Sequence, residues 1–359
     1  MRVCVCTIAR HPEDARILHR QIRALLDAGH EVTYIAPFRA CNVTPWRKIS
    51  PVDVPASTGR RRAAALRAAH RALAEHAAYA DLVLLHDPVL LVSLPRAVRR
   101  RPVVWDVRED TAAALGPLLR PFARRLESRG ERRHRLLLAE EGLGAHFRGS
   151  HPVVPDTTYV ADTPPAAPAG GRAVYVGRLS ADRGAGDMIE LARRLAAEGV
   201  MVELIGPADP EVRPALRAAQ REGILRWYGF VPNDRALRIA EGATAGLALL
   251  RDGTRAVPAK VMEYMAHGIP VITTPNPAAA EVVKDSGIVV PFGDAGAAAD
   301  AVLRLSGDAA LRAQLGKNGH ETAREHFQWS ADAERFVAHL ETWAGRTAPL
   351  RPVPIEPLG

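Results

Sequence analysis

Two segments far apart in the chain hold the residues best suited to gripping an anion. The first, Gly177-Arg178-Leu179-Ser180-Ala181-Asp182-Arg183-Gly184, follows an apolar run. Its leading glycine lets a ligand approach the backbone, and its two arginines offer forked donors. The second, Val257-Pro258-Ala259-Lys260-Val261-Met262-Glu263-Tyr264-Met265-Ala266-His267-Gly268, reads as a helix that starts after Pro258 and stops at Gly268. Lys260 falls in its first turn, where the positive helix end already favours negative charge. Lys260 and Glu263 are three apart and share a face, so an ammonium for phosphate stands beside a carboxylate that accepts from ribose hydroxyls. Together these are the parts of a nucleoside diphosphate site. Taken singly, each has a plainer reading, as surface arginines or an exposed helical ion pair. Their combination across one region favours the site.

Such a site needs strand ends to carry its turns, and the pattern supplies them. MRVCVCTIA reads as a buried strand, Asp14 to Ala28 carries helical periodicity through Ile17, Ile22, Leu25 and Leu26, and the strand EVTYIAP follows. A helix from about Arg62 to Ala78 leads into DLVLLHDP, and a basic helical stretch leads into PVVWDVRED. The Pro, Ala and Gly-rich run 161–171 reads as a hinge. Beyond it strands and helices alternate again, through RAVYVG, VMVELIG, ILRWYGFV, AGLALL and IPVITT. The expectation is an α/β protein of two parallel-sheet domains, with a ligand held at the carboxyl ends of the strands. The domains are placed at 1–165 and 166–328, followed by a helix at 329–346 and a flexible Pro-rich tail at 347–359.

A chain of 359 residues suits two domains. Neither half has a phosphate loop or a G-x-G-x-x-G turn, which argues against ATP and nicotinamide cofactors. Cys4, Cys6 and Cys41 lack metal-ligand spacing and fit a reducing compartment. With no signal peptide and no membrane-length apolar run read from the sequence, the expected location is cytoplasmic. The net charge of +8 is uneven, with dense basic stretches at Arg96 to Arg101 and Arg120 to Arg135. They read as a solvated helix face or as a surface for anionic lipid at the inner face of a membrane. No nucleic-acid module accompanies them, and no nucleic-acid partner is expected.

The motifs YVGRLSADRG, GFVPNDRALRIAEGATAGLALL and PAKVMEYMAHGIPVITT, with EDARILHRQIRALLDAGHEV, LLHDPVLL and VVWDVRED before them, resemble the retaining glycosyltransferase family 4 over about residues 1 to 340. That resemblance implies the GT-B fold, two facing Rossmann-like domains with a cleft between them, the final helix crossing back to the first. It also implies transfer of a hexose or N-acetylhexosamine from a nucleotide diphosphate sugar, by family habit a UDP-sugar, with retention and without a metal or other cofactor. The acceptor would be a hydroxyl of a glycan, a lipid-linked sugar or a small natural product.

By the same resemblance Arg178, Arg183 and Lys260 grip the donor diphosphate and, with His86, form the catalytic set. Gly177, Val231, Pro258 and Glu263 complete the donor site, Val231 meeting the nucleobase through its backbone and Glu263 the ribose. His86 reaches the transferred sugar, and His11, Asp14, Arg16, Arg108 and Glu109 form the acceptor side. The chain departs from the family at Arg255, where E-x7-E has its first glutamate, and at Arg183, where lysine is commoner. It departs again at Arg108, often histidine, and at Arg10 to Asp14, where a glycine pair is usual. In glycosyl transfer, charge grows on the leaving diphosphate as the sugar becomes oxocarbenium-like, so fixed cations stabilise the transition state more than the ground state. Two alternatives stay open: a nucleotide-sugar epimerase of the same architecture and a non-catalytic nucleotide-sugar-binding relative.

Overall fold

The computed structural model describes residues 1–110, 112, 119–163, 165–250 and 257–345, so Arg255 and the tail at 347–359 lie outside the described residues. Contacts divide the chain into one unit made of Met1–Pro155 and Asp332–Gly359 and a second made of Asp156–Ala331.

The first unit is built on a parallel sheet ordered β3-β2-β1-β4-β5-β6. Its strands are β1 (Arg2–Cys6), β2 (Glu31–Ala36), β3 (Ser50–Asp53), β4 (Leu82–Leu85), β5 (Val103–Val107) and β6 (Arg135–Leu138). β1, β4 and β5 are apolar almost throughout because helices cover both faces of a parallel sheet. Cys4 and Cys6 belong to this core, and burial pushes the Cys4 thiol up to about 12, which leaves it inert.

The helix after β1 winds differently from the sequence expectation. Ala15–Ile22 forms a π-helix before the chain tightens into an α-turn at Arg23–Asp27. The five-residue step between the fully buried Ile17 and Ile22 carries that signal, since a π-turn brings such positions onto one face. Asp14 opens the helix by accepting from the N–H groups of Arg16 and Ile17, both at 3.1 Å.

The second unit repeats the plan with the order β12-β11-β10-β7-β8-β9. Its strands are β7 (Arg172–Val176), β8 (Met201–Ile205), β9 (Leu225–Trp227), β10 (Ala245–Ala248), β11 (Val271–Thr273) and β12 (Gly287–Val289). In both sheets the winding reverses beside the first strand of the unit, the point at which parallel sheets leave a crevice for ligands. β3, β6 and β12 are strands that patterning does not reveal. β3 and β12 are short, largely exposed edges, and β6 hides behind the basic helix Arg120–Arg133.

The Pro-rich run belongs to the second unit. Pro168 accepts from Arg312 Nε at 2.8 Å and Ala161 lies 2.9 Å from His320 Nε2, so helix Ala309–His326 pins it. Three helices after β11 also escaped the pattern, though each begins at a capping side chain: Asn276, Asp294 and Asp308 accept from backbone N–H groups three residues on. Among the described residues no helix is long and apolar enough to cross a membrane.

Candidate functional site

β7 and β10 are neighbours, and the segments after them carry the cationic cluster. β7 ends at Val176 and the chain turns at Gly177, whose φ of +137° lies outside the range that side chains favour. A Cβ at Gly177 would lie 3.3 Å from Lys260 Nζ, so glycine there leaves the ammonium open to the turn. The next loop is held as closely, since a Cβ at Gly206, after β8, would meet the Gly177 carbonyl oxygen at 1.9 Å.

Helix Ala259–Ala266 delivers Lys260 in its first turn, after Pro258 in extended geometry. Tyr264 anchors this helix: it is fully buried and its Oη accepts from the Val176 N–H at 2.7 Å. Lys260 is 7% exposed, and its Nζ has no hydrogen-bond partner among the described residues. It rests 3.8 Å from the centroid of the Tyr175 ring, a cation–π contact that supplies part of what water would have given. Burial lowers its pKa well below that of an ordinary lysine, Arg183 lowers it further, and Glu263 acts in the opposite sense. Burial also pushes the Tyr175 hydroxyl up to about 12 against the pull of Arg183.

Glu263 is buried and accepts from Asn233 Nδ2 at 3.1 Å. Asn233 opens the helix Asn233–Ala240, two residues after the half-buried Val231. Arg178 is turned toward a different partner: its side chain is largely exposed, and Nε donates to Asp209 Oδ1 at 2.7 Å. The structure therefore gathers Gly177, Arg183, Lys260 and Glu263 and ties Arg178 to a carboxylate. Tyr175, Asn233 and Asp209 were missed in the sequence, although a tyrosine two residues before Gly177 was a readable sign of a ring facing the turn. Among the described residues no three His, Cys, Asp or Glu side chains cluster so as to hold a metal ion.

In the first unit, His86 follows β4 and is buried, with its Nε2 lacking a hydrogen-bond partner among the described residues. Its Nδ1 lies 3.2 Å from Asp106 Oδ2. Asp106 is gripped from the other side by Arg16, through Nε at 2.9 Å and a terminal nitrogen at 2.8 Å. Burial alone would raise the Asp106 pKa, but the Arg16 guanidinium and His86 hold it far below the usual carboxylate range. Arg16 has no exposed side-chain surface and also donates to the Val154 carbonyl at 2.9 Å. This corrects its expected place on the acceptor side: a fully buried guanidinium has nothing to offer an acceptor and instead holds Asp106 against His86.

The other residues expected at the acceptor form ion pairs at the β1 and β5 ends. Arg108 donates to both Asp14 oxygens at 2.9 Å, and Glu109 accepts from Arg10 at 2.5 Å. Burial would raise the Asp14 pKa, but Arg108 brings it to about 2. His11 is half-buried and its Nδ1 accepts from the Glu13 N–H. Asp87, beside His86, accepts from Thr7 Oγ1 and from the N–H groups of Ile8 and Ala9, which fixes the turn after β1.

Comparison with known proteins relates the second unit to a known family. The family described as glycosyl transferases group 1 matches residues 170–308. Residues 170–308 are thus similar to a group 1 glycosyltransferase domain. Gly177, Arg178, Arg183, Val231, Pro258, Lys260 and Glu263 all lie inside this range. The chain is 32% identical over 143 residues to the putative colanic acid biosynthesis glycosyltransferase WcaL of Salmonella typhimurium, covering 37% of this chain and 35% of that protein. It is 33% identical over 147 residues to the amylovoran biosynthesis glycosyltransferase AmsK of Erwinia amylovora, covering 38% and 36%. The matched stretches thus span about a third of these relatives' length. HepE of Anabaena, solved in complex with UDP-glucose, superimposes with a TM-score of 0.70 over 95% of this chain and 100% of its own, at 15% identity. That likeness shows the fold: two parallel six-stranded sheets with helices, as in GT-B glycosyltransferases. His86 and the ion pairs of the first unit lie outside the matched residues.

Proposed function

We propose that the protein transfers a hexose or N-acetylhexosamine from a UDP-sugar to a hydroxyl acceptor with retention of configuration and without a metal ion. The observation that carries this reading is Lys260, a buried cation with an unpaired Nζ, held at a helix start over the glycine turn that follows β7. A leaving diphosphate would satisfy it. Arg183 and the N–H groups of the helix start add positive potential at the same place. Glu263, fixed by Asn233, accepts from the ribose hydroxyls, and the backbone at Val231 meets the base. Uridine is favoured because HepE was solved with UDP and with UDP-glucose.

In the proposed front-face reaction the anomeric C–O bond to the diphosphate breaks as the acceptor oxygen bonds to the same face of the sugar. The acceptor's proton passes to the departing phosphate oxygen, and Lys260 and Arg183 stabilise the charge left on the diphosphate. The candidate group of the first unit is His86, and Arg16 with Asp106 sets its ring. The likeness to WcaL and AmsK favours a polysaccharide acceptor.

Release of UDP from a panel of UDP-sugars, with and without EDTA and saccharide acceptors, tests the reading. UDP formed with one donor only when an acceptor is present, and in EDTA, is the expected result. Conversion of the sugar without acceptor would point to an epimerase, and binding without turnover to a non-catalytic relative.

A further inference from the structure

A cavity of about 270 Å³ lies in the first unit, between helix Arg120–Arg133 and the connection from β4 to β5. Arg101 and His134 line it just before β5 and β6 begin, at the opposite end of the sheet from His86 and Asp106. It is therefore separate from the groups considered above.

Its lining is one-sided in charge. Arg99, Arg101, Arg129 and Arg133 all contribute, over a floor that includes Leu91, Leu94 and Val103. Among the described residues none of these arginines pairs with a carboxylate, and of the four only Arg101 donates a hydrogen bond, to the Ala78 carbonyl. Both glutamates of the helix are engaged elsewhere. Glu127 accepts from Arg124, and Glu131 accepts from the N–H groups of Arg148 and Gly149 and faces His151.

Like charges four apart on a helix repel, as Arg129 and Arg133 do. The negative helix end offsets part of this at Arg133, but it does nothing for Arg99 and Arg101, which come from a different segment. Leu126, Arg129, Gly130 and Arg133 share one face. Gly130 lets that face settle on the floor, since a Cβ there would meet Leu91 at 3.0 Å and Trp105 at 3.3 Å. Four guanidiniums gathered over an apolar floor need an anion that accepts forked hydrogen bonds and tolerates an apolar flank.

We infer that this cavity binds a phosphate-bearing anion, with the phosphate on Arg99, Arg129 and Arg133 and its apolar portion on Leu91, Leu94 and Leu126. The phosphate belongs either to a lipid headgroup or to a soluble phosphate ester. Burial and Arg133 both lower the His134 pKa, which disfavours a further positive charge beside the four guanidiniums.

The test uses the full chain with two probes: inorganic pyrophosphate followed by calorimetry, and phosphatidylcholine vesicles with and without phosphatidylglycerol followed by co-sedimentation. The triple variant R99A/R129A/R133A, whose changes fall on exposed side chains, should lose binding by about tenfold for each arginine removed. The control R125A/R132A changes the same helix outside the cavity and should bind as wild type. Pyrophosphate also suits the site at Lys260, so the cavity's share is the component that survives Lys260→Met and disappears in the triple variant. Loss confined to vesicles assigns a lipid headgroup, and loss confined to pyrophosphate assigns a soluble ester. Equal binding by the triple variant and wild type to both probes, or no binding by wild type to either, overturns the inference.

Discussion

Lys260 is a cation kept from water before it meets a ligand, and its behaviour follows from that. The free site disfavours the charged ammonium and a bound diphosphate favours it, so binding raises its pKa and takes up a proton. UDP affinity should therefore fall as pH rises from the lowered pKa of the free site towards the higher pKa of the complex. Calorimetry in buffers of different ionisation enthalpy should show proton uptake in that window, and pH-independent binding without uptake would remove the diphosphate from Lys260. Lys260→Ala and Glu263→Ala should each slow transfer by about tenfold or more. The two should differ in kind, since a loss of transition-state charge stabilisation lowers kcat, whereas a lost ribose contact first raises KM.

At the scale of elements, the first unit is sensitive to the loss of either partner of a buried ion pair. Asp106→Asn would leave the Arg16 guanidinium uncompensated in the core and should cost about 3–5 kcal/mol in urea unfolding. Replacing both partners together, Arg16→Met with Asp106→Leu, should recover most of that loss. If the single change proves as mild as the double, Arg16 is not held by Asp106. Asp14 does the same for the π-helix, where its pKa falls from 3.8 to about 2 beside Arg108. A carboxylate lowered in this way stabilises the fold fully above the unfolded value, and the contribution disappears as pH falls through the folded one. It amounts to about 2 kcal/mol. The difference in stability between wild type and Asp14→Asn should thus be full at neutral pH and shrink between pH 4 and about 2.

For the molecule as a whole, the sequence revealed what periodicity and turn chemistry encode. Alternation of apolar runs gave two parallel sheets, and Pro258, Lys260 and Gly268 marked a helix with a cation in its first turn. It hid what depends on contacts distant in the chain. Arg16 was expected on the acceptor side, but Asp106, far along the chain, draws it into the core. Arg178 matches a diphosphate ligand in type, and nothing in the sequence showed that Asp209 would pair with it. Nothing near Glu263 announced that Asn233 would orient it. The edges β3 and β12 were unreadable because a half-exposed strand carries little apolar signal.

The most direct test of the account is calorimetric binding of UDP in EDTA to wild type and Lys260→Met, both first shown to unfold at the same temperature. The account predicts metal-independent binding to wild type and a loss of affinity of about tenfold or more in the variant. Equal affinity in the two proteins would contradict it.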